Sequence, residues 1–433
     1  MRFSAVDPSF WRLKRLYRLL LTGNYQPYVF EETVPEFPSS FGDIGLYVHI
    51  PFCRQICPFC PYNKALVCGQ DLDAYERAVK KEIQTHQERL EASEIPSLYI
   101  GGGTPTVSLE HLLRLISSLR KSFRIGPEIG VEVHPVDASP DNLSALRRSG
   151  VNLVSLGVQS FQDKLLQRIC RPYDGRKAKE ALANAVNADF DSVDIDLMFG
   201  LPGETEEELR YDVEYAFKSE IGQLSSYPLI AFSSTKMPEI LARDGSSKPG
   251  WRQEKKMLQI IQELSKTYGY ERTSIWTWTK KGKIQYTSVT REDFLGFGAG
   301  AASRFDNTFY SNTFSVNDYV KAVNAGKPPI ALSISLDERD EMVWWLFWSA
   351  YRMAIDKQAF KRRFNRELDR EFGVYLKPLK YLGILKEETA EYKLTENGGF
   401  LFHLIEQGYS LDFLDRMWGT LSSEAWPRRL VLG

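Results

Sequence analysis

The chain has 433 residues, 43% of them hydrophobic and 26% charged, and its 55 Lys and Arg nearly balance its 56 Asp and Glu. This composition fits a globular protein with a sizeable core and excludes a disordered or fibrous chain. The formal charge of −1 removes the electrostatic argument for nucleic acid or an anionic membrane surface as the main partner.

The first residues show no targeting segment, because they lack the basic start and uninterrupted apolar stretch of a signal peptide. Residues 9–21 are basic and predict a solvated amphipathic helix, although contact with a lipid surface or an acidic substrate fits the same pattern. No window approaches about 18 uncharged apolar residues, so a membrane-spanning helix is not expected. We therefore expect a cytoplasmic protein, and the sequence does not indicate its oligomeric state.

Short β-type runs alternate with helical patterns from residue 46 onwards. The strand candidates are 46–50, 97–100, 129–133, 152–156, 192–198 and 223–227. Strand–helix units with short connections predict an α/β fold with a parallel sheet, which either closes partway into a barrel or stays open. In both forms the functional residues are expected at the carboxyl ends of the strands.

The pattern changes beyond residue 245. The sequence predicts a charged helix at 252–268, a hairpin from Thr273 to Val289 around Lys280–Lys283, and a glycine-rich turn at 294–300.

A helical, tryptophan-rich region begins near residue 337. Together with a glycine turn and short hairpin at 379–395, it predicts a mostly α, winged-helix-like unit that caps the site, since it has no basic surplus for DNA. The predicted domains are an N-terminal arm at 1–44, a core at 45–245, a connecting region at 246–336 and a C-terminal unit at 337–433.

Three of the five cysteines, Cys53, Cys57 and Cys60, have C-x3-C-x2-C spacing just after the first strand. Thiolates in a tight loop suit zinc or an iron–sulfur cluster. A structural zinc ion needs four ligands, and Cys68 or His49 would have to supply the fourth. Three thiolates on a [4Fe–4S] cube instead leave one iron open to a small molecule. If zinc is absent, Cys68 is an ordinary thiol, and Cys170 is read in the same way.

The segment Tyr47–Cys53, with the two following cysteines, resembles the cluster loop of radical S-adenosylmethionine (SAM) enzymes, and more narrowly that of the oxygen-independent coproporphyrinogen III oxidase family. Further matches follow in the family's order at Gly101–Thr106, Val131–Pro135, Gly150–Phe161 and Asp196–Gly203. The similarity covers roughly residues 45–400. It implies a partial (β/α)6 barrel of the TIM type.

The resemblance also implies cofactors and residue roles. A [4Fe–4S] cluster on Cys53, Cys57 and Cys60 would bind SAM, and one electron from a donor such as flavodoxin or ferredoxin would cleave SAM to a 5′-deoxyadenosyl radical. The positions that match the family's SAM site are Tyr47, Phe59, Gly102, Gly103, Thr104, Glu132, Gln159, Arg171 and Asp196. Each of these residue types has an ordinary structural role elsewhere, so the prediction depends on their joint placement.

Two departures from the family's sequence pattern reduce the number of reactions that fit this chain. Coproporphyrinogen oxidases proper carry a further cysteine where this chain has Tyr62, and the haem-chaperone relatives carry a histidine element that Ser274–Trp278 lacks. The remaining resemblance is to the class C radical SAM methyltransferases, which implies a second SAM molecule beside Phe232, Gly298 and Gly300. Trp276, Trp278 and the group at 344–348 either line the substrate site or pack in the core.

We therefore expect a radical SAM enzyme that methylates or cyclopropanates an unsaturated or aromatic small molecule. The alternatives are radical oxidation, decarboxylation or ring opening of a porphyrin, porphyrinogen or haem, and a haem-binding trafficking protein.

Overall fold

The computed structural model describes residues 26–68, 71–91, 93–285 and 293–433. The basic helix predicted at 9–21 and part of the N-terminal arm lie outside these residues. Among the helices described, none combines the length and the apolar character needed to cross a bilayer.

Most of the strands belong to one large sheet. The strands are β1 (Tyr28–Glu31), β2 (Gly45–Ile50), β3 (Phe52–Cys53), β4 (Ala65–Leu66), β5 (Ile95–Gly102), β6 (Ile125–Val133), β7 (Leu153–Gln159), β8 (Ser192–Phe199), β9 (Gln223–Pro228), β10 (Tyr270–Ser274), β11 (Thr277–Lys280), β12 (Phe294–Phe297), β13 (Ala302–Phe305), β14 (Thr308–Asn312), β15 (Ile330–Ser335), β16 (Ala354–Asp356), β17 (Leu385–Glu387), β18 (Glu391–Leu394) and β19 (Arg429–Leu432). The large sheet has the order β10-β11-β9-β8-β7-β6-β5-β2-β12-β13-β14-β15-β1-β19. A second sheet has the order β16-β18-β17, and β3 pairs with β4.

The centre of the large sheet is the run of parallel strands β2, β5, β6, β7, β8 and β9, which lie side by side in chain order. This arrangement confirms the predicted α/β fold with parallel strands. One face of these strands is apolar, and there Ile100, Val131, Val154 and Ile195 are fully buried. The other face carries buried polar groups, such as Ser155 and Ser225, whose hydroxyls both hydrogen-bond to Asp194.

Helices connect the strands and cover the sheet. They are α1 (Leu72–Thr85), α2 (Gln87–Leu90), α3 (Leu109–Ser122), α4 (Pro140–Arg148), α5 (Asp163–Arg168), α6 (Gly175–Val186), α7 (Glu206–Lys218), α8 (Met237–Arg243), α9 (Trp251–Tyr268), α10 (Val316–Asn324), α11 (Glu338–Tyr351), α12 (Lys357–Phe364), α13 (Leu368–Glu371), α14 (Gly373–Tyr381), α15 (Glu396–Tyr409) and α16 (Asp415–Ser423). In α3, for example, Leu112, Leu115, Ile116 and Leu119 are buried at helical spacing and form the face that packs inward.

Further strands extend the sheet on both sides of this parallel run. On one side the hairpin β10–β11 pairs with β9, and on the other β12 is parallel to β2 and leads into β13, β14 and β15. The last strand, β19, returns from the C-terminus to pair with β1, so the chain end is part of the large sheet.

The hairpin of this region does not turn where the sequence predicts. Tyr270 pairs with Lys280 and Ser274 with Thr277, so the chain reverses at residues 275–276 rather than at Lys280–Lys283. The tip is apolar and buried in the C-terminal core, where the Ile275 N–H donates to the Tyr351 carbonyl oxygen (2.9 Å). Tertiary burial therefore outweighs the polar turn signal. The end of the predicted hairpin, at 286–289, lies outside the described residues.

The C-terminal region is mostly helical, as predicted. Helices α11 to α14 surround the small sheet, and the hairpin β17–β18 stands where a wing is expected. Helix α15 then continues through a π-helical turn at Ser410–Leu414 into α16. The domain boundaries remain a prediction; β2 begins at Gly45 and α11 at Glu338, close to two of them.

Candidate active site

The structure brings the predicted site residues to one edge of the sheet. Gly102 and Gln159 end β5 and β7, while Glu132 and Asp196 lie near the ends of β6 and β8. The cysteine loop follows β2 and begins at Cys53 in β3. The carboxyl ends of neighbouring parallel strands meet at the same edge, so residues that are separated by about 145 positions in sequence share one site.

The cysteine loop is held by backbone hydrogen bonds. The Val67 N–H donates to the Cys53 carbonyl oxygen (2.9 Å), and the Cys60 N–H donates to that of Cys57 (3.3 Å). Cys53 is buried, and Cys57 and Cys60 are half-buried. Burial raises the pKa of the Cys60 thiol to about 11, so a positively charged partner is needed to favour the thiolate.

The two residues considered as a fourth ligand for zinc differ in their surroundings. Both ring nitrogens of His49 are engaged, by the Tyr47 hydroxyl (2.8 Å) and by the Asn63 carbonyl oxygen (3.0 Å), and Cys68 is exposed.

Arg171 supplies a positive charge next to the loop. Its Nη1 donates to Cys57 Sγ (3.1 Å), and its Nη2 donates to the Gly157 carbonyl oxygen (2.8 Å). Burial disfavours the guanidinium charge, but Tyr173 and Cys57 outweigh burial and hold the pKa of Arg171 above its ordinary value. Gln159, at the end of the same strand, has φ 66°, a strained conformation of the kind that clusters at functional sites.

The glycine turn after β5 brings its backbone against the cysteine loop. Gly102 has φ 118°, which only glycine adopts easily. At Gly103, a Cβ atom would lie 2.8 Å from Cys53 Sγ. The Thr104 hydroxyl donates to the same sulfur (3.6 Å).

Two carboxyl groups lie close to each other at this edge of the sheet, Glu132 on β6, next to the turn, and Asp196 further along on β8. Glu132 accepts hydrogen bonds from the Tyr99 hydroxyl (2.5 Å) and the Gly102 N–H (3.0 Å), and burial raises its pKa. Asp196 accepts a hydrogen bond from Ser155 Oγ (3.3 Å). Burial and the nearby Glu132 raise the pKa of Asp196 to about 7. Such oxygens suit the hydroxyl groups of a ribose.

Tyr47 and Phe59 flank the loop. The Tyr47 ring lies 5.8 Å from the Tyr99 ring, and Phe59 packs against the buried cluster that includes Met198 and Leu201. Both positions leave them next to the site, but their contact with a cofactor stays a prediction.

The residues expected beside a second SAM molecule pack against different neighbours, and their contact with such a molecule stays a prediction. Gly298 and Gly300 have positive φ, and a Cβ at either would lie 2.5–2.6 Å from Tyr75, Asn63 or the His49 carbonyl. The turn therefore packs against the chain that follows the third cysteine. Phe232 instead contacts the Trp418 ring, 6.0 Å away.

The tryptophans discussed from sequence are mostly core residues. Trp278 is fully buried, and Trp345 and Trp276 are 3% and 6% exposed. Trp345 packs on Phe360 and Phe364, so these three tryptophans pack in the core, whereas Trp344 and Trp348 are half-buried.

Sequence reasoning missed an aromatic wall between the loop and the C-terminal region. The rings of Tyr62 and Trp418 lie 5.3 Å apart, and Trp418 also contacts Phe232. Asp415 anchors this part of α16 by accepting hydrogen bonds from the N–H groups of Ser233 (2.7 Å) and Ser234 (3.1 Å). No sequence pattern marks a contact across more than 300 residues.

Comparison with known proteins identifies the domain. The sequence profile of the radical SAM superfamily matches residues 47–216. The chain contains a radical SAM domain. The match runs from β2 into α7 and includes the cysteine loop, the glycine turn and the strand-end residues described above. A match to this profile implies a [4Fe–4S] cluster and SAM.

The similarity to individual known proteins extends beyond the radical SAM domain and covers most of the chain. The heme chaperone HemW of Bacillus subtilis (strain 168) is 29% identical over 363 residues, which cover 82% of this chain and 96% of that protein. The oxygen-independent coproporphyrinogen III oxidase of Escherichia coli (strain K12) is 27% identical, with 78% and 80% covered. The anaerobilin synthase of Escherichia coli O157:H7 is 26% identical, with 68% of each covered.

A solved structure shows the same fold. The coproporphyrinogen III oxidase HemN of Escherichia coli matches with a TM-score of 0.74 and 24% identity, over 90% of this chain and 98% of that chain. The shared architecture thus includes the C-terminal region as well as the radical SAM domain.

Proposed function

We propose that Cys53, Cys57 and Cys60 hold a [4Fe–4S] cluster and that the protein cleaves SAM there. One observation carries the proposal: the three thiols, the Gly102–Thr104 turn and the polar strand ends meet at one edge of the sheet, within the range that matches the superfamily. Both ring nitrogens of His49 are engaged in hydrogen bonds, so three thiolates would hold the cluster and a fourth iron would be open to SAM.

When bound, the cluster and SAM supply an electron and a 5′-deoxyadenosyl radical. The chain's own residues position the cofactor. Arg171 offsets the negative charge of the loop thiolates through its hydrogen bond to Cys57, and the neutral Thr104 hydroxyl donates a hydrogen bond to Cys53. Glu132 and Asp196 present oxygen atoms that orient the nucleoside.

For the substrate, we propose a flat conjugated molecule, with a tetrapyrrole as the first class to test. The wall formed by Tyr62, Trp418 and Phe232 offers the aromatic surface that such a molecule needs. The relatives are named as a heme chaperone, a coproporphyrinogen III oxidase and an anaerobilin synthase, which supports the same class.

Carbon methylation or cyclopropanation with a second SAM is the second candidate. It is favoured by Phe232, which belongs to the aromatic wall and was expected beside the second SAM. Gly298 and Gly300 pack closely against His49, Tyr75 and Asn63. They therefore support a second SAM site less than Phe232 does.

Anaerobic reconstitution tests the cofactor assignment. The protein should bind about four irons per chain and, with SAM and a reductant, release 5′-deoxyadenosine. Cys57→Ala should lose both properties. Cys68→Ala is the matched control, because Cys68 lies shortly after the loop but is exposed, and it should retain both. Stoichiometric zinc in the wild-type protein would contradict the assignment.

Product analysis separates the reactions. With a tetrapyrrole present, consumption of substrate with 5′-deoxyadenosine alone supports oxidation or ring opening, whereas S-adenosylhomocysteine in addition supports methyl transfer. Tight haem binding without any SAM cleavage would replace both with a haem-carrying role.

A further inference from the structure

Asp194 is a buried carboxyl group that lies two residues before Asp196 on β8. Side chains alternate along a strand, so the two residues face the same side of the sheet. Asp194 is 2% exposed, whereas Asp196 is half-buried. Asp196 is the residue proposed to face the nucleoside, and Asp194 lies deeper in the protein behind it. A buried carboxyl group at this position needs a physical explanation.

A single hydroxyl group joins the two carboxyl groups. Ser155 on β7 lies opposite Asp194. Its Oγ is 3.2 Å from Asp194 Oδ2 and 3.3 Å from Asp196 Oδ2. A serine hydroxyl has one hydrogen, so it donates to one carboxyl group and can accept a hydrogen bond from the other. Both contacts are hydrogen bonds at the same time only when one carboxyl group carries a proton.

The surroundings of Asp194 favour a proton on one of the two carboxyl groups. Ser225 Oγ, on β9, lies 3.1 Å from Asp194 Oδ1 and 3.0 Å from its Oδ2. Among the described residues, no lysine, arginine or histidine forms an ion pair with Asp194. Two neighbouring carboxylates without a cation between them are unfavourable in a buried site. The pair therefore keeps a proton.

The proton belongs on Asp194 rather than on Asp196. Burial and Glu132, on β6, raise the pKa of Asp196 to about 7, whereas the positive charge of Arg171 opposes the rise. Asp194 is more buried, and burial together with Asp196 holds its pKa well above the ordinary value. Tyr227, on β9, is also close to both carboxyl groups, and burial keeps it neutral by raising its pKa. Arg171 thus favours an ionised Asp196 and leaves the proton with Asp194.

We propose that Asp194 is a positioning residue for the SAM nucleoside: it keeps a proton that it donates to Ser155, and Ser155 then donates to Asp196, which faces the ribose as a carboxylate. The contact with Ser155 fixes Asp196 Oδ2 and leaves Oδ1 to accept from the ribose. The proposal rests on the proposed function, since it takes Asp196 as a ribose-binding residue. It requires a hydrogen-bond donor at position 194 for recognition of the ribose hydroxyl groups.

Two variants that keep the shape of the aspartate test the role of this proton. Asp194→Asn keeps a hydrogen-bond donor without a charge, whereas Asp194→Leu keeps neither. Adenosine and 2′,3′-dideoxyadenosine serve as probes, because they differ only in the two ribose hydroxyl groups. Calorimetric titration of the anaerobically reconstituted protein measures both affinities.

We expect Asp194→Leu to weaken adenosine binding about fivefold or more and to change 2′,3′-dideoxyadenosine binding less than about twofold. Asp194→Asn should restore adenosine binding to within about twofold of the wild type. Equal losses for both nucleosides, an unchanged adenosine affinity in Asp194→Leu, or an equal loss in Asp194→Asn would contradict the proposal. A wild type that does not prefer adenosine over 2′,3′-dideoxyadenosine would contradict it as well.

Infrared spectroscopy at pH 8 gives a readout that needs no ligand. This pH lies above the pKa of Asp196, so the carbonyl band of a protonated Asp194 should be present in the wild type and in Asp196→Asn. The same band should be absent from Asp194→Asn. Its loss in both variants would place the proton on Asp196, and an unchanged spectrum in Asp194→Asn would show that Asp194 is ionised. Either result would overturn the proposal.

Ser192→Ala is the matched control. Ser192 is buried on the same face of β8, one pair of residues further from the site, and its Oγ lacks a hydrogen-bond partner. The variant should keep both nucleoside affinities and the infrared band. Losses equal to those of Asp194→Leu would show a general effect of altering β8 and would contradict a specific role for Asp194. Failure of the proposed function is read separately, as absence of SAM cleavage by the wild type.

Discussion

Gly103 leaves no room for a side chain between the glycine turn and the cysteine loop. A Cβ atom there would lie 2.7 Å from the Pro51 carbonyl oxygen and 2.8 Å from Cys53 Sγ. We expect Gly103→Ala to displace Cys53, lower the iron content and destabilise the fold by about 1–3 kcal/mol. Iron analysis and thermal unfolding measure these effects. Gly42→Ala is the control, because that position has open space. Normal iron content and stability in Gly103→Ala would show that the cysteine loop can shift to accommodate the methyl group and still bind the cluster.

Glu82 links α1 to the glycine turn before β13. Its buried carboxyl group accepts hydrogen bonds from the Tyr319 hydroxyl (2.6 Å), the Gly298 N–H (2.8 Å) and Asn312 Nδ2 (2.7 Å). Burial raises its pKa from 4.5 to about 7, although these donors oppose the rise. The folded protein thus keeps a proton that the unfolded chain loses at lower pH.

The stabilisation linked to Glu82 is therefore fully present below pH 4.5 and is lost as the pH rises through 7. The expected change is about 3 kcal/mol. Glu82→Gln removes this titration, so its free energy of unfolding should fall less than that of the wild type between pH 5 and pH 8. Urea unfolding at the two pH values measures the difference. Parallel losses in both proteins would mean that Glu82 does not titrate in this range.

Among the site residues, those at the strand ends could be predicted from the sequence, whereas those that reach the site only through tertiary contacts could not. Glu132 and Asp196 follow from their place in strand-like runs, because the topology assigns those ends to one edge. Tyr62 was noticed only as a departure from the family. Its role depends on Trp418, which no local pattern connects to it.

Helix α15 is docked on α9 by a buried polar link. Trp276 Nε1–H donates to His403 Nδ1 (2.9 Å), so the proton of the neutral ring lies on Nε2, which donates to Glu254 (3.1 Å). His403→Leu should leave the Trp276 N–H and the Glu254 carboxylate without this partner and cost about 2–4 kcal/mol. Thermal unfolding and a red shift of tryptophan fluorescence report the loss.

An exposed ion pair between the same helices provides the control. Lys266 of α9 pairs with Glu396 of α15 at the surface. Lys266→Ala should cost at most about 1 kcal/mol. An equal decrease in the free energy of unfolding of His403→Leu and Lys266→Ala would show that the buried link stabilises the fold no more than a surface ion pair.

Among the elements, the parallel strands were predictable because each is a short run rich in β-branched and other apolar residues between turn signals, a pattern that can be recognised without any distant partner. The β10–β11 hairpin was placed wrongly for the opposite reason. Its true turn at Ile275 and Trp276 is apolar and forms only because the C-terminal core buries it.

Over the whole molecule, the sequence identified a C-terminal cap but not how it closes. The cap reaches the site through Asp415 and Trp418, and the chain end returns to the large sheet as β19. These contacts join segments hundreds of residues apart. Their pairing depends on shape complementarity in the folded state, which composition and spacing do not encode.

The pairing of β19 with β1 should therefore support the aromatic wall from a distance. Leu432 is fully buried with Met417 and Leu421 of α16, and Trp418 packs against the same cluster. Leu432→Ala should cost about 2–3 kcal/mol, loosen α16 and weaken binding of a flat conjugated probe. Val431 points to the other face of the strand and is 37% exposed, so Val431→Ala should cost less than about 1 kcal/mol. Thermal unfolding and probe titration compare the pair. Loss of stability without any change in probe affinity would show that the wall is held by the Asp415 anchor alone.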